Sequence, residues 1–123
     1  MLDALKSYLT AQGYTGICID TMPDVSKQRD VIYLGKWDHT VADINDGTGV
    51  QYIQIQVRRG TYDEAHTICD ALFKLLDSGL DEKRLQLTPD VWCIARPRRG
   101  PLILERGGTH TTFYCETALW GEN

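Results

Sequence analysis

Residues 58–76, with the sequence RRGTYDEAHTICDALFKLL, join the end of a predicted strand to a glycine turn and a long amphipathic helix. Thr61 and Glu64 have capping-box spacing, in which the hydroxyl accepts from the Glu64 amide and the carboxylate reaches back. The negative charge of Asp63 and Glu64 also favours the positive end of the helix dipole. Apolar residues then recur on one helical face, at Ala65, Ile68, Cys69, Leu72, Leu75 and Leu76. The stretch predicts a helix that stops before Gly79 and is long enough to cover a sheet.

The remaining pattern predicts a short helix over residues 2–12 and a series of strands separated by turn residues. The strands are expected at residues 16–20, 31–34, 50–58, 91–96, 102–106 and 111–120. Residues 97–101 are expected to form a basic turn or bulge, because two prolines cannot join a central ladder. The predicted fold class is α+β: a mostly antiparallel β-sheet with one long helix packed on one face and a short N-terminal helix.

Length and composition favour one soluble domain over residues 1–123. The net charge of −4 favours neither a nucleic-acid-binding surface nor a polybasic membrane anchor. The chain contains no apolar run of the roughly 18 residues that a membrane span needs. The four cysteines form no C-x-x-C pair and each lies in an apolar stretch, which indicates reduced core thiols: Cys18, Cys69, Cys93 and Cys115.

The sequence offers no constellation that predicts catalysis, a metal or a cofactor, so we expect no enzyme activity. His66 and Asp70 are four residues apart on the predicted helix, but two ligands are weak evidence for a metal site. A solvated pair on the helix surface is the preferred interpretation. The serines lie in no nucleophile-elbow context, and the glycine pairs lack the strand and helix of a phosphate loop.

Two segments are predicted to contact other proteins. Residues 38–49 are polar, and we expect them to form a long hairpin loop. Loops of that length are usually functional or disordered. Residues 96–106 place four arginines around a proline-fixed bend, and arginine suits bidentate contact with carboxylates. The interface candidates are Trp37, Asp38, His39, Asp43, Asp46, Arg96, Arg98, Arg99 and Arg106.

The last predicted strand, residues 111–120, carries large side chains on both faces. Such a strand would be a liability at the edge of a monomeric sheet. Another subunit covering it would remove the liability, and a helix over the second face is an equally simple alternative.

Three motifs resemble a phage family of minor capsid or tail-terminator proteins. They are RRGTYDEAHTICDALFKLL at residues 58–76, PLILERG at residues 101–107 and FYCETAL at residues 113–119. In that family a strand ending in basic residues runs through G-(S/T)-Y-x-E-A into a helix. The similarity extends over residues 31–119.

The resemblance implies an α+β subunit of a ring, commonly hexameric, on the last ring of the major tail protein. The implied partners are the chain itself, the major tail protein and the head-completion protein, with DNA only passing through the lumen. The implied location is the tail–head junction of the virion, after assembly in the host cytoplasm. A head-completion or neck protein is the alternative within phage assembly. A small ligand-binding or catalytic α+β domain is the alternative from another class.

The polarity and length of residues 38–49 predict that this loop is mobile in the free protein and becomes ordered against a neighbouring ring. Hydrogen exchange before and after assembly measures this. Equal protection of the loop in the two states would contradict the prediction.

Overall fold

The structure is a computed structural model, and it describes residues 1–36 and 50–121 of the chain. The described residues form two helices and six strands. In chain order they are α1 (Leu2–Ala11), β1 (Ile17–Ile19), β2 (Val31–Lys36), β3 (Gln51–Arg59), α2 (Tyr62–Leu75), β4 (Leu85–Thr88), β5 (Val91–Arg106) and β6 (Thr111–Trp120).

The six strands make one sheet in the order β1-β2-β3-β6-β5-β4. The β1–β2 pair is parallel and every other pair is antiparallel. Alternation along β3 turns Ile53, Ile55 and Val57 toward the core, where all three are fully buried. Their opposite neighbours on β6 include Cys115 and Phe113, which belong to the same core.

The sheet curls into a half-barrel, and α1 lies against both of its edges. This helix contacts β1 and β2 at one edge and β4 at the other. Leu5 and Leu9 of α1 are fully buried, as their spacing on one helical face predicts. Residues of both helices and of the sheet form a single hydrophobic core.

The predicted α+β class, with one long helix packed on a face of the sheet, is wrong. The protein is mostly β, and its helices are short, with 10 residues in α1 and 14 in α2. The periodicity after Gly60 does form α2, but this helix ends at Leu75 and is about 21 Å long. The sheet encloses much of the core by curling, so no long covering helix is needed.

The capped start of α2 is confirmed in part. Thr61 is the N-cap residue, and its Oγ1 accepts from the Glu64 amide at 3.2 Å. The Glu64 carboxylate instead faces the buried Arg59 guanidinium, with 3.5 Å between Oε1 and Nε. The helix therefore has half of a capping box, and the second half is replaced by an ion pair to the preceding strand.

Strand β6 is central, so it is not the edge strand for which cover by another subunit or by a helix was considered, and α2 packs against it. It lies between β3 and β5 and hydrogen bonds to both. The predicted break at residues 97–101 is a bulged part of one continuous strand, β5, with register shifts against β6. The open edge is therefore on β5.

The predicted loop at residues 38–49 lies outside the described residues. The candidates Trp37, Asp38, His39, Asp43 and Asp46 fall outside them as well.

Arg58 fixes the connection between β1 and β2. This residue is 6% exposed, and its guanidinium donates to three backbone carbonyls, those of Pro23 at 2.6 Å, Gln28 at 2.8 Å and Arg29 at 3.0 Å. A buried charge is costly unless it is hydrogen-bonded, and these carbonyls supply the bonds. The basic residue that ends β3 is thus a structural clamp.

Replacing Arg58 with Ala should lower the free energy of unfolding by about 2–3 kcal/mol, because bonds from a charged donor are lost. Urea denaturation followed by circular dichroism measures the change. The matched control is Arg29→Ala, which removes an exposed guanidinium paired with Asp30 and leaves the Arg29 carbonyl in place. Equal stability of the Arg58 variant and the wild type would show that the clamp is dispensable.

The four cysteines are free thiols. Cys69, Cys93 and Cys115 are buried, in agreement with the prediction of core thiols, and Cys18 is half-buried. Burial raises the pKa of Cys93 to about 11 and also raises the pKa of Cys18. Because the thiolate is the reactive form, both thiols are poorly reactive near neutral pH.

In the native protein at pH 7.5, Ellman's reagent should label Cys18 slowly and the other three cysteines hardly at all. All four should react at once in denaturant. A Cys18→Ser variant is the control, and it should remove the native-state reaction. Rapid labelling of two or more thiols in the folded protein would contradict this burial pattern.

Candidate functional site

The candidate site is the second part of β5, residues 96–106, which we call the β5 arm. β4 pairs only with the start of β5, between Val91 and Cys93. Ser78 then covers the edge at Ala95: its amide donates to the Ala95 carbonyl and its Oγ accepts from the Ala95 amide, both at 2.8 Å. Within residues 1–36 and 50–121, no strand pairs with the outer edge of the arm beyond this point.

The first half of the arm resists pairing with another strand. Pro97 and Pro101 have no amide hydrogen to donate. Gly100 has φ of +133°, and a Cβ there would collide with the Cβ of Cys115 on β6. Prolines and bulges are the devices by which sheet edges avoid uncontrolled pairing. Contact through side chains is therefore favoured over extension of the sheet.

The second half of the arm exposes a run of large apolar side chains. Leu102 is 43% exposed, Ile103 is 46% exposed and Leu104 is 51% exposed. Single exposed leucines are common on proteins, but three consecutive exposed large apolar residues beside an open strand edge are not. Because successive side chains of a strand point to opposite faces, Leu102 and Leu104 share one face and Ile103 lies on the other. We call these three residues the apolar tip.

The four predicted interface arginines are spread along the arm: Arg96, Arg98 and Arg99 lie in its first half, and Arg106 follows the apolar tip. Three of them stack on aromatic rings, with guanidinium carbons 4.6 to 6.0 Å from the ring centroids. The pairs are Arg96 over Trp120, Arg98 over Tyr52 and Arg106 over Tyr62. All four arginines are exposed, so stacking orients them without removing their charge from the surface.

Arg99 is held by a buried carboxylate. Glu116 on β6 is 4% exposed, and its Oε1 lies 3.7 Å from the Nε of Arg99. Burying a carboxylate without a partner is costly, and Arg99 supplies the opposite charge. Arg99 therefore contributes to the fold as well as to the surface, a role that its sequence context did not indicate.

Charge is divided unevenly between the arm and the rest of the chain. The arm holds four arginines and one glutamate, a formal charge of +3. Because the whole chain carries −4, the remaining residues carry −7. The arm is thus a basic projection with an apolar tip on an acidic protein.

A short turn beside the base of the arm has the opposite character. Residues 77–82, which we call the Leu80 turn, contain three carboxylates and no basic residue, although Lys83 and Arg84 follow. Leu80 is the most exposed large apolar residue, with 102% relative exposure. A depression of about 250 Å³ separates the turn from the arm, lined by Asp77, Gly79, Leu80, Arg96 and Pro97.

The Arg96 side chain marks the boundary of a second depression. Its Nη2 lies 2.5 Å from Oε1 of Glu82, which ties the arm to the Leu80 turn. The second depression has a volume of about 320 Å³ and is lined by Glu82, Ile94, Arg96 and Trp120. The base of the arm therefore offers apolar and carboxylate groups on either side of the Arg96 guanidinium, whereas the tip offers apolar side chains followed by Arg106.

The predicted His66 and Asp70 pair is not arranged as a metal site. The His66 ring stacks near Tyr62 and packs edge-on against Phe113, with centroids 5.2 Å apart in the latter pair. Asp70 instead pairs with Lys74, at 2.9 Å. In the part of the chain that the structure describes, no group of three or more histidine, cysteine or acidic side chains could hold a metal ion.

Among the described residues, neither helix is long and apolar enough to cross a membrane.

The arrangement at the arm favours binding to a protein surface. Apolar side chains supply area that is removed from water, and flanking arginines supply pairing with carboxylates. The sequence identified the arginines but missed the apolar tip and Leu80. The sequence of the apolar tip is typical of a buried strand. Only the strand pairing of the structure shows that one edge of β5 is unpaired at this point.

Comparison of the chain with protein-family models, curated proteins and solved structures finds no match.

Replacing Arg99 with Glu should lower the free energy of unfolding by about 1–3 kcal/mol, because it places a second carboxylate beside the buried Glu116. Chemical denaturation measures the loss. Adding Glu116→Gln to the same chain should restore part of it by removing the repulsion. If the double variant is no more stable than Arg99→Glu alone, repulsion between residues 99 and 116 does not account for the loss of stability.

Proposed function

We propose that this protein is a structural subunit of a phage virion, a tail terminator. In this role it forms a ring on the end of the tail tube, stops tube growth and joins the tail to the head-completion complex. It acts through protein contacts and carries out no reaction. Its partners are further copies of itself, the major tail protein and the head-completion protein.

The observation that carries this proposal is the exposed β5 arm. Three exposed apolar side chains flanked by arginines provide area and charge for a protein contact. An assembly subunit requires such surfaces, because each copy must bind its neighbours and a partner ring.

The sequence motifs give independent support. The stretch at residues 58–76 and the PLILERG segment at residues 101–107 resemble the tail-terminator family. The second of these motifs includes the apolar tip, so the resemblance and the exposed surface coincide on β5. The central strand β6 carries the third motif and holds the arm in place through its pairing with β5.

Electron microscopy of tails made with and without this protein tests the proposal. Without it, tails should grow to uncontrolled lengths and fail to join filled heads. Purified protein added back should cap isolated tails and restore joining. Tails of normal length in its absence would overturn the terminator role, and binding to filled heads in place of tails would indicate a head-completion or neck protein.

Charge reversal at Arg98 should impair the joining of heads to tails while the protein stays folded. Arg98 stacks on Tyr52 and is exposed, so the change alters the surface with little effect on the core. An in vitro joining assay measures the effect, and circular dichroism verifies the fold. The matched control is Lys27→Glu, an exposed charge reversal away from the arm. Joining at the wild-type level would exclude Arg98 from the contact.

A further inference from the structure

The apolar tip of the arm and the Leu80 turn are complementary surfaces. Each presents exposed leucine side chains, Leu102 and Leu104 on the tip and Leu80 on the turn. Along β5 the tip lies between Arg99 and Arg106, and the turn contains Asp77, Asp81 and Glu82, the last of which pairs with Arg96 of the same chain. Apolar contact with opposite charges around it is the usual composition of a specific protein interface.

The two surfaces of one copy cannot reach each other. Pro97, which lines the depression beside the turn, is five to seven residues from the apolar tip along β5. At about 3.3 Å per residue this is roughly 17–23 Å. The arm is paired with β6 along its length, so it cannot fold back. The complement of each surface must lie on another molecule.

Charge argues against a contact between two arms. Such a contact would bring together two segments of +3 each, and like charges across an interface are costly. The rest of each chain carries −7, which attracts the arm of a neighbour. The favoured contact joins unlike surfaces of two copies.

We propose that the apolar tip of one copy docks against the Leu80 turn of the next copy, with the arm arginines facing the carboxylates of that turn. The occupant of each surface is therefore a second copy of this chain. Because the contact is head-to-tail, a pair of copies keeps one unused tip and one unused Leu80 turn, and successive copies build a ring when the rotation closes.

The inference deepens the proposed function, because it identifies the contact between neighbouring subunits of the terminator ring. Its test uses purified full-length protein and no tails, so the two proposals can fail separately. If the protein caps tails but does not make this contact, only the docking proposal is contradicted. If the contact forms but the protein does not bind tails, only the terminator role is contradicted.

Disulfide cross-linking detects the contact even when it is weak. A Leu104→Cys chain is mixed with a Leu80→Cys chain, both carrying Cys18→Ser, and diamide oxidises neighbouring thiols. The expected result is a covalent dimer on non-reducing gels in the mixture. The control mixture replaces Leu80→Cys with Lys27→Cys, an exposed position on the connection between β1 and β2, and should give no dimer above background.

Two aspartate variants test whether unlike surfaces meet. Leu104→Asp damages the tip and Leu80→Asp damages the turn, and both side chains are exposed, so the fold should persist. Sedimentation velocity should show self-association of the wild type, weakened at least about tenfold in either variant. Mixing the two variants should restore dimers and nothing larger. The intact tip of the Leu80→Asp chain can bind the intact turn of the Leu104→Asp chain, and the damaged surfaces cannot bind a third chain.

Several results would overturn the inference. They are the absence of the mixed disulfide above the control, a Leu104→Cys dimer that forms equally well alone, and a mixture of aspartate variants that stays monomeric while the wild type associates. The second result would show contact between two arms. Circular dichroism of each variant verifies that a loss of association does not arise from unfolding.

Discussion

The structure depends on the burial of α1 against both edges of one curled sheet. Leu5 and Leu9 are fully buried although their helix has only 10 residues, too few for stability in isolation. The helix contacts β1 and β2 on one side and β4 on the other. By lying against both edges, it closes the core between them, while β1 and most of β4 stay partly exposed.

This arrangement leaves one part of the sheet uncovered. The four residues of β4 pair with the start of β5, and Ser78 covers Ala95, whereas the rest of β5 projects beyond both. The strand is 16 residues long and β6 supports it on one side only. The β5 arm is therefore a direct consequence of a long strand beside a short one.

Arginine has three different roles in this protein. Arg58 clamps a connection through backbone carbonyls, and Arg99 accompanies the buried Glu116. Arg98 and Arg106 lie over aromatic rings and remain exposed. Fixed, exposed guanidinium groups lose little side-chain entropy when they bind carboxylates, which suits an assembly surface. The same residue type thus stabilises the fold and places oriented positive charge at the surface.

The sequence by itself determined the local structure. The threonine at position 61 starts α2, and the alternation of Ile53, Ile55 and Val57 fixes which face of β3 is buried. It also identified the arginines of the arm as surface residues. These features depend on neighbours within a few positions, so they can be read from spacing.

Only the tertiary structure decided how the strands are ordered. The order puts β6 in the centre, makes the class mostly β, and leaves β5 with an open edge. It also gave Arg58 its backbone carbonyl partners and Arg99 its buried carboxylate partner, and it placed Leu80 beside the base of the arm. These outcomes depend on pairings between residues far apart in the chain. Periodicity within a strand reports which faces are apolar and carries no information about which strand lies alongside it.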